Sequence, residues 1–265
     1  MLPLLEQLFR TVRSYMQSER FNRHSIFFQS DEHTTMQFDR EAEDLIVEGL
    51  TASGYGFEVV TEEQPILCTS EDPAYRIVVD PVDGSTNVEQ GILAACVALA
   101  VLPIDAPVTP EYVEWALVGE LYSGTVYQAE REHGAYCNGR RCQVSEVRRY
   151  RDCLLGLNLD QRDPHSLHAL ICGESYPAAV RRSGTSALDI VYVASGAYDA
   201  YVDIGEIITG ESFLASTAIV REAGGLVTDR FGQSLSPVKN LRQGFSLVAA
   251  ATPELHTELL DRLKQ

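Results

Sequence analysis

Eight consecutive residues carry the sharpest chemical signal in the chain: Asp80-Pro81-Val82-Asp83-Gly84-Ser85-Thr86-Asn87. They follow an apolar run, residues 76–79, that reads as a strand, so Asp80 falls at a strand end. Two carboxylates three residues apart converge when the chain between them turns, and Pro81 pre-sets such a turn. Hard cations such as Mg²⁺ take carboxylate, water and phosphate oxygens in near-octahedral order. Gly84 then lets the backbone N–H groups of Gly84, Ser85 and Thr86 approach an anion closely, and a following helix start adds its dipole. By composition alone the same residues also make an ordinary turn, since Asp, Pro, Gly, Ser and Asn all favour turns.

The elements that must hold this segment follow from hydrophobic spacing. Leu4, Leu5, Leu8, Phe9, Val12 and Met16 recur at helical intervals and predict an amphipathic helix over 2–18. Residues 21–35 are polar, poorly periodic and read as a mobile connection. Asp39 then precedes a second helix, with Ala42, Leu45, Ile46 and Leu50 on one face and Gly54 and Gly56 beyond its end. Residues 57–60 and 76–79 are short strands, each followed by acids, and 92–102 crosses a buried sheet. A hairpin or meander spans 112–129 around Tyr122-Ser123-Gly124, and Asn138-Gly139 marks the next turn. Later strands are expected at 154–157, 200–204, 226–228 and 246–250, and helices at 165–172, 187–194, 213–223 and 253–263. Mixed α and β content throughout predicts layered sheets and helices, divided near residue 145 into halves 1–145 and 146–265.

The 265 residues suffice for a sizeable core, and 45% of them are apolar, an ordinary share for a globular protein. No apolar run reaches the roughly 18–20 residues of a membrane span. The opening residues 1–9 carry Glu6 and no basic flank, so no cleaved signal is expected and the default location is cytoplasmic. The six cysteines are scattered without a Cys-x-x-Cys pair and read as reduced, structural thiols. A net charge of −17, from 38 acidic and 21 basic residues, argues against a nucleic-acid surface. An acidic protein acting on an anionic substrate needs an intervening cation, and a metal is the natural one.

Asp-Pro-Val-Asp-Gly-Ser-Thr-Asn resembles the first signature of the inositol monophosphatase superfamily, which includes archaeal-type fructose-1,6-bisphosphatases. The likeness extends from about residue 35 through Thr61-Glu62-Glu63, Gly134-Ala135-Tyr136-Cys137-Asn138-Gly139, Arg182-Ser183-Gly184-Thr185-Ser186-Ala187, Gly196-Ala197-Tyr198-Asp199-Ala200-Tyr201 and Glu222-Ala223-Gly224-Gly225. It implies an αβαβα sugar-phosphatase fold of the α/β (α+β) class. The two packed halves would carry the metal loop and the substrate side, with the site between them. The implied activity is a Mg²⁺-dependent phosphomonoesterase, with Mn²⁺ as a substitute, acting on a small polyol or sugar phosphate such as inositol monophosphate or fructose-1,6-bisphosphate. Glu62, Asp80 and the Val82 carbonyl would hold a first metal, and Asp80 and Asp83 would share a second. Asp39 would hydrogen-bond Ser85, whose hydroxyl would join Glu62 in orienting the attacking water. Gly84, Ser85 and Thr86 would cradle phosphate, while Gly184, Thr185 and Ser186 would line the polyol side. A homodimer is expected on the same ground. Plainer readings stand beside these: Asp39 as a helix cap, and Glu62 and Glu63 as exposed strand-end acids.

One position departs from the resemblance. The second signature normally opens with an Asp ten residues before the Glu of Glu-Ala-Gly-Gly, and here that residue is Ser212, preceded by Glu211. Counting forward from Asp203 also reaches Ser212. As a good N-cap, Ser212 would keep the start of the helix while removing a charged ligand. Glu211, one methylene longer than Asp, is the candidate replacement, although adjacent helical residues point about 100° apart; a rescue would need a shift in the loop 206–211. Three outcomes follow: a phosphatase using Glu211 or water there, a weakened one-metal phosphatase, or a silent relative kept for ligand binding or subunit interaction. A related enzyme that removes the 3′-phosphate of adenosine bisphosphate shares the signature and is a further alternative.

Overall fold

The computed structural model of the protein describes residues 1–29, 34–62, 66–159, 168, 170–171 and 176–264. In chain order the elements begin with α1 (Leu2–Met16), β1 (Ile26–Gln29), β2 (Thr34–Met36), α2 (Gln37–Ala52), β3 (Phe57–Thr61), β4 (Leu67–Cys68), β5 (Tyr75–Asp83) and α3 (Ser85–Gln90). They continue with β6 (Cys96–Pro103), β7 (Trp115–Glu120), β8 (Val126–Glu130), β9 (Gly134–Cys137), β10 (Arg140–Arg141), β11 (Leu154–Leu157) and β12 (Ala179–Arg181). Then come α4 (Ser186–Ala194), β13 (Ala200–Ile208), α5 (Gly210–Glu222), β14 (Leu226–Thr228), β15 (Phe245–Ala250) and α6 (Pro253–Leu263).

Alternation along the central strands sets the layers. Successive strand residues face opposite sides of a sheet, so Ile77 and Val79 of β5 and Val97, Leu99 and Val101 of β6 pack under the apolar stripes of α1 and α2. Their neighbours Val78, Ala98 and Ala100 face the other way, onto Leu188 and Val191 of α4 and Phe213 and Ile219 of α5. The second sheet divides likewise. Tyr201, Leu247 and Ala249 join the α4–α5 layer, whereas Val202, Val248 and Ala250 pack on Leu255 and Leu259 of α6. The result is αβαβα, helices outside and between two sheets. Each fully buried Leu or Phe at these positions contributes about 2–3 kcal/mol of transfer free energy. Close approach of α1 depends on Gly119, where a Cβ would stand 2.3 Å from the Phe9 ring.

The first sheet runs β10-β9-β8-β7-β6-β5-β3-β4 and the second β12-β11-β13-β15-β14. In the first, β3 and β5 pair in parallel, with Thr61 opposite Val79; β5 and β6 pair antiparallel. Parallel pairing brings the C-terminal ends of β3 and β5 to one edge, and the next residues there are Glu62 and Asp80.

Several expectations shift. Residues 21–35 do not form a plain connection: β1 pairs antiparallel with β2, Gln29 opposite Thr34, and 30–33 lie outside the described residues. Asp39 does not cap α2; the helix starts two residues earlier, after Met36, and Asp39 sits in its first turn. Ser212 does not cap α5 either, since that helix starts at Gly210 with Thr209 as its N-cap. Residues 206–208, expected in a loop, complete β13 past a kink at Glu206, whose φ is 54°. Gly244 makes room for that kink, for a Cβ there would lie 1.9 Å from the Glu206 carbonyl oxygen. The helix expected over 165–172 falls outside the described residues apart from His168, Leu170 and Ile171.

Glu222, the last residue of α5, accepts the Glu132 and Gly134 N–H groups, each at 2.9 Å, and so ties the β8–β9 turn to the helix. Glu132 holds a left-handed φ of 64° in that turn. Glu222→Ala is expected to lower stability by about 1–3 kcal/mol, because the Glu132 and Gly134 N–H groups lose their carboxylate acceptors. Urea unfolding measures this, and an unchanged midpoint contradicts a structural role for Glu222.

Candidate active site

In a regular strand, residues i and i+3 point to opposite faces. Asp80 and Asp83 escape this because the β5–β6 ladder slips between them. Asp80 lies opposite Ala98 and Asp83 opposite Cys96, so three steps on β5 match two on β6. That is a bulge of one extra residue, and it occurs where Pro81 has no N–H to give the ladder. Ala98 and Cys96 both face the α4–α5 layer, and so both aspartates do too.

Each meets a helix start. The Asp83 Oδ2 atom accepts the Thr185 hydroxyl at 2.5 Å and the Ala187 N–H at 2.6 Å, in the first turn of α4. Asp80 Oδ2 accepts the Ser212 hydroxyl at 3.2 Å from the first turn of α5. On the other side, Asp39 in the first turn of α2 accepts the Ser85 hydroxyl at 2.9 Å through Oδ1. The same hydroxyl lies 2.9 Å from the Val82 carbonyl oxygen. Three longer helices thus aim their positive N-terminal ends at the acidic loop.

Gly84, at φ 101°, starts the short α3; a Cβ there would stand 3.0 Å from the Ala94 carbonyl oxygen and 3.3 Å from Thr185. Ser85 begins that helix half-buried, and Thr86 beside it is exposed. Gly184 has φ 87° and passes so close to Asn87 that a Cβ would meet its amide oxygen at 2.8 Å. Thr185 caps α4 and Ser186 is its first residue. Glu62 is exposed just past β3. Asp39, Ser85, Thr185 and Ser212 thus meet around the end of β5, with Gly84 and Gly184 packed beside them.

Electrostatics record how close the acids stand. Burial pushes the Asp80 carboxyl well above the usual carboxylate range, and the charges of Asp83, Glu62, Glu211 and Asp39 push it further. Asp83 is raised to about 6, mainly by burial, against the lowering pull of its Thr185 and Ala187 hydrogen bonds. Glu211, only 5% exposed, is raised to about 7 by burial, with Glu62 and Asp83 adding to it. Its Oε1 accepts the Thr209 hydroxyl, while its Oε2 is buried without a partner among the described residues. Cys96 sits 4.0 Å from Asp83 Oδ2, but burial raises its thiol pKa, so the usable donors are oxygens. Among the described residues no three His, Cys, Asp or Glu side chains are already closed into a metal cage. Buried carboxylates that raise one another, with an orphaned oxygen beside them, nonetheless suit a hard divalent cation.

Sequence reasoning missed Thr209 and the Ser212–Asp80 bond. It also passed over Asn87, whose amide donates to the Ala94 carbonyl at 2.8 Å and the Ser183 carbonyl at 2.9 Å. Its place as the last residue of the signature segment was the available signal.

The inositol monophosphatase family model matches residues 3–265. A fructose-1,6-bisphosphatase/inositol-1-monophosphatase of Methanothermobacter thermautotrophicus is 31% identical over 250 residues, covering 89% of this chain and 85% of its own. The Nus factor SuhB of Pseudomonas aeruginosa is 30% identical over 249 residues, covering 88% and 87%. Of solved structures, the extragenic suppressor protein suhB of Bartonella henselae matches with a TM-score of 0.81 at 27% identity, covering 100% of this chain and 98% of that one. The Thermotoga maritima inositol monophosphatase matches with a TM-score of 0.81 at 22% identity, covering 99% and 96%, a likeness of fold. The layered fold with carboxylates gathered at one strand edge is that of a hydrolase of phosphoric monoesters. The chain belongs to the inositol monophosphatase family, and its activity is that of a phosphatase for small polyol or sugar phosphates.

A carboxyl raised from 4.5 to about 7 keeps in the native state a proton that the unfolded chain releases. Its contribution is therefore full at acid pH and is lost as pH rises through about 7. In chelator-treated protein, Glu211→Gln is expected to gain stability over wild type between pH 5 and 7.5, by about 2 kcal/mol. Urea titrations at the two pH values test this; a pH-independent difference rules out a buried, raised Glu211.

Proposed function

We propose that the protein is a Mg²⁺-dependent phosphomonoesterase of inositol monophosphate or fructose-1,6-bisphosphate type, in which Mn²⁺ can substitute. The observation that supports it most is the bulge that turns Asp80 and Asp83 to one face beside Glu62. Glu62, Asp80 and the Val82 carbonyl would hold one cation, and Asp80, Asp83 and Glu211 a second. Bound there, Mg²⁺ supplies charge neutralisation at the phosphoryl oxygens and makes a water more acidic.

The protein's own groups account for the remaining steps. The Ser85 hydroxyl has one proton and two acceptors, Asp39 Oδ1 and the Val82 carbonyl. Donating that proton as a hydrogen bond to Asp39 Oδ1 leaves the serine oxygen's lone pairs to accept a hydrogen from water. Ser85 and Glu62 then aim that water at phosphorus. The water's oxygen bonds to phosphorus as one of its protons passes to the Glu62 carboxylate, the phosphorus–ester oxygen bond breaks, and the departing alkoxide takes a proton from solvent and leaves as the alcohol. The N–H groups of Gly84, Ser85 and Thr86 at the start of α3 face the phosphate oxygens, and Gly184, Thr185 and Ser186 meet the polyol.

The second reading is a weakened or silent relative that serves as a ligand-binding or interaction protein. Ser212 in place of a carboxylate favours it, as does the likeness to a protein named a Nus factor. A cytoplasmic homodimer completes the primary proposal. The location is supported by Cys68, Cys96, Cys137, Cys142 and Cys153, which form no disulfide among the described residues, as expected in a reducing compartment; the dimer rests on family membership. Among the described residues no helix is long and apolar enough to cross a membrane.

Phosphate release with Mg²⁺ from inositol monophosphate, fructose-1,6-bisphosphate and adenosine 3′,5′-bisphosphate distinguishes these readings. The expected result is turnover of one of the first two. Asp80→Asn should lower kcat/KM by about a hundredfold or more, since a ligand matters at least as much as its supporting partners. Turnover of the nucleotide alone moves the assignment to the nucleotide phosphatases. Absence of turnover with all three favours the silent reading.

A further inference from the structure

We infer that Thr209 is a positioning residue, and that its hydroxyl sets Glu211 as the substitute carboxylate for the position that Ser212 fills. The inference rests on the metal-dependent reading above and concerns how this chain rebuilds that half of the site.

Thr is a favoured N-cap because its oxygen accepts an N–H from the first turn. Thr185 at α4 and Thr252 at α6 do this, accepting from Leu188 N and Leu255 N. Thr209 occupies the same place at α5 yet makes no capping bond. Its hydroxyl donates to Glu211 Oε1 instead. The helix forgoes a cap, worth about 1 kcal/mol in ordinary settings, to fix one side chain.

What is fixed is a carboxylate with one oxygen satisfied and the other, Oε2, buried without a partner among the described residues. The side chain is almost fully enclosed, at 5% exposure. Ser212, the next residue, already reaches the acidic loop, donating to Asp80 Oδ2 at 3.2 Å. Adjacent helical residues diverge by about 100°, so a carboxylate moved back by one position needs extra reach and a fixed rotamer. Glu supplies the first, and the Thr209 hydroxyl the second. The arrangement parallels the partners that orient ligands in metal sites, whose loss weakens affinity by roughly 10–100-fold.

The test is calorimetric titration of the chelator-treated full chain with Mn²⁺ and with Mg²⁺, read as the number of ions bound and their affinities. Thr209→Val keeps the shape and suits the extended backbone at φ −103°, ψ 164°, but removes the hydroxyl. It is expected to weaken the weaker-bound ion about tenfold or more. Thr209→Ser should keep that affinity within about threefold, because the hydroxyl remains. Glu211→Gln should lose that ion and retain the tighter one. A purely structural role for Thr209 would lower the melting temperature and leave affinities alone, so thermal unfolding accompanies each titration. Unchanged affinities in Thr209→Val, with Glu211→Gln impaired, overturn the inference and leave the metal-dependent reading intact. Unchanged affinities in Glu211→Gln overturn it as well. Wild type that takes up no ion removes the underlying reading itself.

Discussion

A β-strand cannot present two side chains three residues apart on one face unless its ladder slips, and the slip in β5 is the constraint on which this site depends. Pro81 falls inside it, where the missing N–H leaves no ladder donor to strand. With the register restored to a regular strand, Asp83 would turn toward α1 and α2 and lose the start of α4. The parallel pairing of β3 with β5 is the companion requirement, since it sets Glu62 level with Asp80. Neither carboxylate pair is a local accident; each is fixed by how strands align.

Gathering acids in a buried edge costs free energy, and the fold answers with its helices. α2, α4 and α5 each begin at the acidic loop; α4 and α5 donate hydrogen bonds to Asp83 and Asp80 there, and α2 supplies Asp39 as acceptor for the Ser85 hydroxyl. Helix ends carry partial positive charge, which softens the repulsion without neutralising it. The residual strain shows in the raised Asp80, Asp83 and Glu211 carboxyls. A divalent cation is the natural answer to that residue of charge.

Much of this was legible in the chain and some was not. The acidic octapeptide, the strand at 154–157 and the closing helix 253–263 were readable because turn chemistry and helical periodicity are local. The Asp39–Ser85 hydrogen bond followed from family resemblance, since nothing local links residues 46 apart. The bulge was not readable, for it is a relation between β5 and β6. The β1–β2 pair escaped notice because Ile26, Phe27 and Phe28 are all about half exposed, leaving no alternation to see. The start of α5 was set too late because Thr209 and Ser212 are both good caps, and choosing between them needs the actual backbone.

Asn87 and Asp83 together do something further. Asn87 holds Ser183, and Asp83 holds Thr185 and Ala187, so the octapeptide is stitched to the chain that leads into α4. Those stitches span from the eight-stranded sheet to the layer beneath it. The seam between the two sheets and the acid cluster are therefore one piece of engineering: prying the layers apart would dismantle the carboxylate geometry in the same motion. The packing of one layer on the other and the placing of the acids thus share the same few hydrogen bonds.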